Sequence, residues 1–283
     1  MIASNNDSAV TGLKDLLKSE FKIKDVGPAR FFFGLEISGS LADISVCERK
    51  YAQNLLEDAC LLGCKPSSIP MDHNLHLTKI WARHWRIHGL TESSLAAYKV
   101  LRYIKANPGQ GLMYSADSEL CLNAFCDADW ANCKDTRCYV TGFCVYLGTS
   151  LISWKSKNQG VTSRSSTESE YRSMAQATCE IIWLQQLLRY LHIQVTCPAK
   201  LFYDNKSALH IAMNPMFHER MKHIEIDCHT VCDQIKAGKL KALHVSSENQ
   251  HDDILTKPLH PGPFHHLLQR MSLSSLYLPP LRG

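Results

Sequence analysis

From Cys121 onward the chain alternates short apolar runs with polar turns. "CLNAFCDAD", "CYVTGFCVYL" and "LISWKS" are rich in β-branched and aromatic residues and predict three successive strands, an antiparallel meander. The apolar period then lengthens. From Glu168 to His192 the apolar residues Tyr171, Met174, Ala175, Ile181, Ile182, Leu184, Leu188 and Leu191 predict one long amphipathic helix. "AKLFYDN" predicts a fourth strand, and "SALHIAMN" and "RMKHIEIDCHTVCDQIKAG" predict helical segments around a break at Pro215. "KLKALHVS" predicts a fifth strand and "DDILTK" the start of a last helix. The order β-β-β-α-β-α-β-α is that of an α/β domain, a mixed five-stranded sheet with flanking helices.

The first third reads as a smaller α+β unit. Leu13, Leu16, Leu17 and Phe21 have helical spacing, "ARFFFGLEIS" is strand-like, and "KYAQNLLEDACLL" is helical again. Between Thr78 and Ser93 the pattern loses any period, with Trp81 and Trp85 among basic residues, which marks a junction. Helical spacing returns in "AAYKVLRYIKAN" and stops at "PGQG". The expected division is 1–78 for the first unit, 79–120 for a junction and connecting helix, 121–260 for the α/β domain and 261–283 for a tail.

Composition narrows the classes. At 283 residues and 45% hydrophobic, the chain can bury a substantial core. A formal charge of +4 permits a nucleic-acid partner without demanding one. No window approaches the roughly 20 apolar residues of a membrane span, so no membrane partner is expected. The start "MIASNNDSAV" is no signal peptide, and the 12 cysteines form no C-x-x-C pair. These features predict reduced thiols in an intracellular protein of the cytoplasm or nucleus.

Four acids stand where strands end or helices begin: Asp127, Glu170, Asp204 and Asp253. In a mixed sheet such boundaries gather at one edge. Carboxylates brought together there need a compensating charge, and their hard oxygens suit Mg²⁺ or Mn²⁺. Two such ions would clamp both oxygens of a phosphodiester displacement. Each acid also has a structural reading. Glu170 closes a capping box in "TESE" (Thr167 to Glu170), and Asp204 makes an Asx turn in "YDNKS". Asp129 is expected as a turn residue and Asp252 as a solvated neighbour of Asp253. Lys134, Arg137, Lys155, Lys157, Arg164 and Arg172 form either a phosphate-holding face or an ordinary solvated one. His218, His223 and His229, near Cys228 and Cys232, match no zinc-finger spacing and are expected as surface and core histidines. Trp154 and Trp183 are expected in the core.

The segments "FCDADWANCKDTRCYVTGFCVYLGTSLISWKSKNQGVTSRSSTESEY", "YDNKSAL", "FHERMKHIEIDCH" and "HVSSENQHDDILTKPL" together resemble the ribonuclease H domain of copia-type LTR-retrotransposon polyproteins, over about half the chain. The resemblance implies a ribonuclease H-like fold. It also implies a metal-binding quartet of Asp127 ("CDAD"), Glu170 ("SEY"), Asp204 ("YDN") and Asp253 ("DDIL"), and it settles their reading in favour of a site. The implied activity is endonucleolytic hydrolysis of the RNA strand of RNA/DNA hybrids with two Mg²⁺ or Mn²⁺ ions and no small-molecule cofactor. The alternative is a decayed fragment that binds nucleic acid without turning it over. "FKIKDVGPARFFFGLEIS" and "KYAQNLLEDACLLGCKPSSIPMD" resemble the C-terminal part of the same polyprotein's reverse transcriptase, beginning just after its Tyr-Val-Asp-Asp turn. Residues 1–78 are therefore expected as a remnant without polymerase activity. Asn132 stands where that family carries Gly. Neither His244 nor His251 is expected to replace the mobile-loop histidine of some relatives.

Overall fold

The structure is a computed structural model that describes residues 7–40, 42–72, 92–129, 139–160, 163, 165–195, 197–206 and 225–275. Its first elements are helix α1 (Asp7–Glu20), strands β1 (Phe31–Phe32), β2 (Leu35–Gly39) and β3 (Asp43–Cys47), helices α2 (Arg49–Asp58) and α3 (Glu92–Ala106), and strand β4 (Gln110–Ser115). "ARFFFGLEIS" is a hairpin rather than one strand, because Phe33 and Gly34 turn the chain with φ of 50° and 85°.

The meander follows as β5 (Leu122–Asp129), β6 (Val140–Leu147) and β7 (Ser150–Asn158). Helix α4 (Ser166–Tyr190), β8 (Ala199–Tyr203), helix α5 (Glu225–Lys236) and β9 (Leu240–His244) come next. Short helix α6 (Asp253–Thr256), helix α7 (Pro261–Arg270) and strand β10 (Leu273–Ser275) complete the described residues. The second sheet has the order β7-β6-β5-β8-β9. Its meander pairs are antiparallel, and β8 pairs parallel to both β5 and β9. This is the mixed five-stranded α/β sheet that the sequence predicts.

Alternation along β5 sorts its two faces. Leu122, Ala124 and Cys126 pack with Tyr171, Met174, Ile181, Leu184 and Leu188 of α4 and with Val231 of α5. Each of these larger apolar side chains contributes on the order of 1.5–3 kcal/mol by leaving water. Phe125, on the opposite face, joins Cys144, Tyr146, Leu151 and Met271, with Leu112 and Leu273 beside them. That second core binds the two sheets together.

The first sheet, in the order β1-β2-β3-β4-β10, takes strands from all three ranges 1–78, 79–120 and 261–283. Trp154 and Trp183 are not core: they are 52% and 53% exposed. Trp154 lies on edge strand β7, paired with Cys144 of β6 on one side only, and Trp183 points away from the sheet on the outer side of α4. Cys121 and Cys197 form a disulfide, which corrects the expectation of reduced thiols throughout. They meet because parallel β5 and β8 start side by side.

Candidate active site

The C-terminal end of β5 is held from both faces. The Ser173 hydroxyl shares its one proton between the carbonyls of Asp127 (2.8 Å) and Gly142 (3.0 Å), tying α4 to the β5–β6 ladder. From the other face the Gln250 amide donates to the Cys126 carbonyl at 2.8 Å. Asp127 is thus a fixed, buried carboxylate on the face covered by α6. The Thr256 hydroxyl donates to its Oδ2 at 2.9 Å, and Lys257 Nζ stands 3.0 Å from the same oxygen. Lys257 also reaches Asp253 Oδ1 at 2.6 Å, so one ammonium joins the first and last acids of the quartet.

Glu170 is placed by the long helix. Ser165 is the N-cap, and its hydroxyl accepts from the Glu168 backbone N–H at 3.2 Å. The N-cap bond therefore runs between Ser165 and Glu168, not through Glu170, and Glu168 is buried in an ion pair with Arg172. Glu170 is left facing the strand end, where Tyr203 OH donates to its Oε2 at 3.1 Å. Asp204 directly follows β8 and accepts from the Ser247 hydroxyl at 3.2 Å.

The electrostatics show the acids sharing one field. Burial, with the charges of Asp127 and Asp204 and against the Tyr203 hydrogen bond, pushes the Glu170 carboxyl up to about 7. Burial and the same two acids raise Asp253 to about 6 despite its Lys257 partner. Burial alone would depress the Lys257 ammonium, but Asp127 and Asp253 hold it above the ordinary lysine range. Among the described residues no group of three or more His, Cys, Asp or Glu side chains is gathered closely enough to ligate one ion. Lys257 joins Asp127 to Asp253, whereas Glu170 is held by Tyr203 and Asp204 by Ser247. An all-carboxylate donor set that already holds one cation and raises its own proton affinity fits a hard divalent ion.

Asp252 corrects the expectation of a solvated neighbour. It is fully buried, and its carboxylate lies against the Asp127 backbone without a well-formed hydrogen bond. Burial first, then the charges of Asp127 and Asp253, raise it well above the usual carboxylate range. Asp129 pairs with Val140 as the last residue of β5. His251 is stacked on Phe125 at 4.1 Å between ring centroids, with Nδ1 3.1 Å from Tyr146 OH, away from the acids. Lys155 and Lys157 are exposed on β7. Lys134, Arg137, Arg164, Asn132, His218 and His223 lie outside the described residues. Cys228 and Cys232 are buried, and Cys232 Sγ lies 3.9 Å from Tyr171 OH. Sequence reasoning missed Lys257, although the Asp253–Lys257 spacing of four residues on a helix start was a signal for it.

The reverse transcriptase (RNA-dependent DNA polymerase) family matches residues 1–73. The retrovirus-related Pol polyprotein from transposon RE1 of Arabidopsis thaliana is 33% identical over 307 residues, covering 97% of this chain and 21% of that protein. An uncharacterized mitochondrial protein of the same plant is 33% identical over 215 residues, covering 65% of this chain and 90% of its own length. The N-terminal RNase H domain of a Mycobacterium tuberculosis protein covers 53% of this chain and 97% of that one, at 10% identity and a TM-score of 0.35. The chain spans about a fifth of the length of the Pol polyproteins it matches.

Proposed function

Since the chain belongs to the retrovirus-related Pol polyproteins of copia-type transposons, we propose that its second sheet is a ribonuclease H that hydrolyses the RNA strand of RNA/DNA hybrids. The observation that carries this reading is the bridge of Lys257 between Asp127 and Asp253, with Glu170 and Asp204 in the same field. Asp127, Glu170, Asp204 and Asp253 would hold two Mg²⁺ or Mn²⁺ ions, which supply water activation and neutralise charge on the leaving oxygen. Thr256 orients Asp127, Tyr203 orients Glu170 and Ser247 orients Asp204, so three of the four carboxylates are aimed before substrate arrives. Lys155 and Lys157, with Lys134, Arg137 and Arg164, would take backbone phosphates. Contacts to 2′-hydroxyls would distinguish the RNA strand. Residues 1–78 are assigned to a reverse-transcriptase remnant and 121–260 to the hydrolase.

Asp252 favours a second reading, a decayed hydrolase that retains the fold without turnover. A buried carboxylate without a well-formed hydrogen bond weakens the ground on which Asp127 and Asp253 stand. Single-turnover cleavage of a labelled hybrid by the full chain with Mg²⁺ separates the two. Asp127→Asn should abolish cleavage by at least about a hundredfold, a loss of transition-state stabilisation of about 2.7 kcal/mol, with the circular dichroism spectrum unchanged. Asp129→Asn should do much less. Hybrid binding should stay within about tenfold for both, because it rests on cations and phosphates. No cleavage by the parent chain would establish the decayed reading, and full activity in Asp127→Asn would refute the assigned site.

A further inference from the structure

Lys257 sits where the proposed function would put positive charge. Its ammonium is 3.0 Å from Asp127 Oδ2 and 2.6 Å from Asp253 Oδ1, and both of those side chains are far more buried than the lysine. The ammonium is therefore the inner tip of a side chain that reaches solvent along its stem. Thr256, its neighbour in sequence, holds the same Asp127 oxygen, so Asp127 stays oriented whether or not the lysine is there. The backbone at Lys257 has already left α6, with φ of −125° and ψ of 142°, and Pro258 follows. The helix therefore does not pin the side chain. A lysine, unlike arginine, presents a compact point charge on a flexible stem, the shape of a replaceable monovalent ion.

We propose that the Lys257 ammonium is a built-in counter-ion, holding the place of a divalent cation between Asp127 and Asp253 until metal binding displaces it. The inference rests on the reading of those acids as metal ligands. It makes Lys257 a positioning residue that keeps the acids together in the metal-free chain and competes with the first ion to enter. Two effects of opposite sign follow. Without the lysine the metal-free chain loses cohesion at the site, whereas its affinity for a dication rises, because two adjacent carboxylates then lack a counter-charge.

The test is a Mn²⁺ titration of the full chain, followed by calorimetry and electron paramagnetic resonance, with thermal melts recorded with and without the ion. Lys257→Gln should bind Mn²⁺ about tenfold tighter than the parent, melt lower without metal, and gain more in melting temperature when metal is added. Lys257→Arg, which keeps the charge, should bind no tighter than the parent. Equal or weaker Mn²⁺ binding by Lys257→Gln would overturn the proposal, since a merely structural lysine gives that result. If Lys257→Gln is unfolded without metal, folding on addition of Mn²⁺ would support the exchange of one cation for another. Failure to fold in Mn²⁺ would overturn it. Asp127→Asn separates the two levels: if it binds Mn²⁺ as well as the parent does, the reading of these acids as ligands fails, independently of Lys257.

Discussion

Asp252 touches Gly142 across the face of the second sheet. A methyl group placed on Gly142 would stand 2.7 Å from Asp252 Oδ2 and 2.7 Å from Thr256 Cγ2. Gly142 pairs with Asp127 in the β5–β6 ladder, so the missing side chain is what lets α6 settle over the strand end. Gly142→Ala should cost about 1–3 kcal/mol by overpacking and, by lifting Thr256 and Lys257 away from Asp127, should depress cleavage together with stability. Denaturant unfolding monitored by circular dichroism measures the first, and single-turnover cleavage the second.

Removing Asp252 should have the opposite effect on stability. Its carboxylate is buried with no well-formed hydrogen bond, so Asp252→Ala should stabilise the metal-free chain by about 1–3 kcal/mol near pH 8, the usual cost of an unsatisfied buried polar group. The gain should depend on pH. A carboxyl with a raised folded-state pKa favours folding while protonated and loses that contribution as pH rises above its unfolded value near 3.8. The advantage of Asp252→Ala over the parent should therefore shrink toward pH 4. Melts at both pH values check the sign, and a parent more stable than the variant at pH 8 would contradict it.

Glu170 and Asp253 predict a pH profile for the metal-free protein. Their pKa values rise from 4.5 to about 7 and from 3.8 to about 6 on folding. Between those limits the folded chain binds more protons than the unfolded one, so stability falls as pH rises from about 4 to about 7. Glu170 is half-buried, which limits its share of the effect to a few degrees in melting temperature. Glu170→Gln should flatten the upper part of the profile, and saturating Mg²⁺ should flatten all of it. A melting temperature that climbs steadily from pH 5 to pH 7 without metal would be the contrary result.

The Cys121–Cys197 bond closes a loop across 76 positions of sequence and ties the approaches to β5 and β8. A loop of that size is worth about 2–4 kcal/mol through the entropy of the unfolded chain. The oxidised chain should therefore melt lower after reduction, and Cys121→Ser should abolish the difference between reducing and non-reducing conditions. Peptide mapping without reductant establishes whether the bond forms in the purified protein.

The elements of the second sheet were legible because alternation in β5 and β6 and the helical stripe of α4 are each set by one continuous core. Strands β3 and β10 were not. The latter has three residues, and its partner in β4 lies some 160 positions away, so no local period announces it. The four acids could be named as candidates through their order along the chain, but their surroundings could not. Asp252 and Asp253 are adjacent and chemically identical, and only the seating of α6 against Gly142 buries the first and points the second toward Lys257. The tryptophans misled for a related reason: an edge strand and the outer side of a long helix carry apolar residues without burying them. His251 was silent in the sequence because its stacking partner, Phe125, belongs to a distant strand.

Strand β10 also sets an order in time. A ribosome delivers the segments from β5 through β9 before Leu273–Ser275 exists, so the second sheet can close while β4 still shows a free edge on the first. During that interval the backbone donors and acceptors of Gln110–Ser115 are open to any other extended chain, and newly made copies on neighbouring ribosomes are the nearest candidates. Three late residues thus act as a shutter, and a nascent chain stalled or cut before residue 273 would be expected to aggregate through β4 even with its second sheet complete.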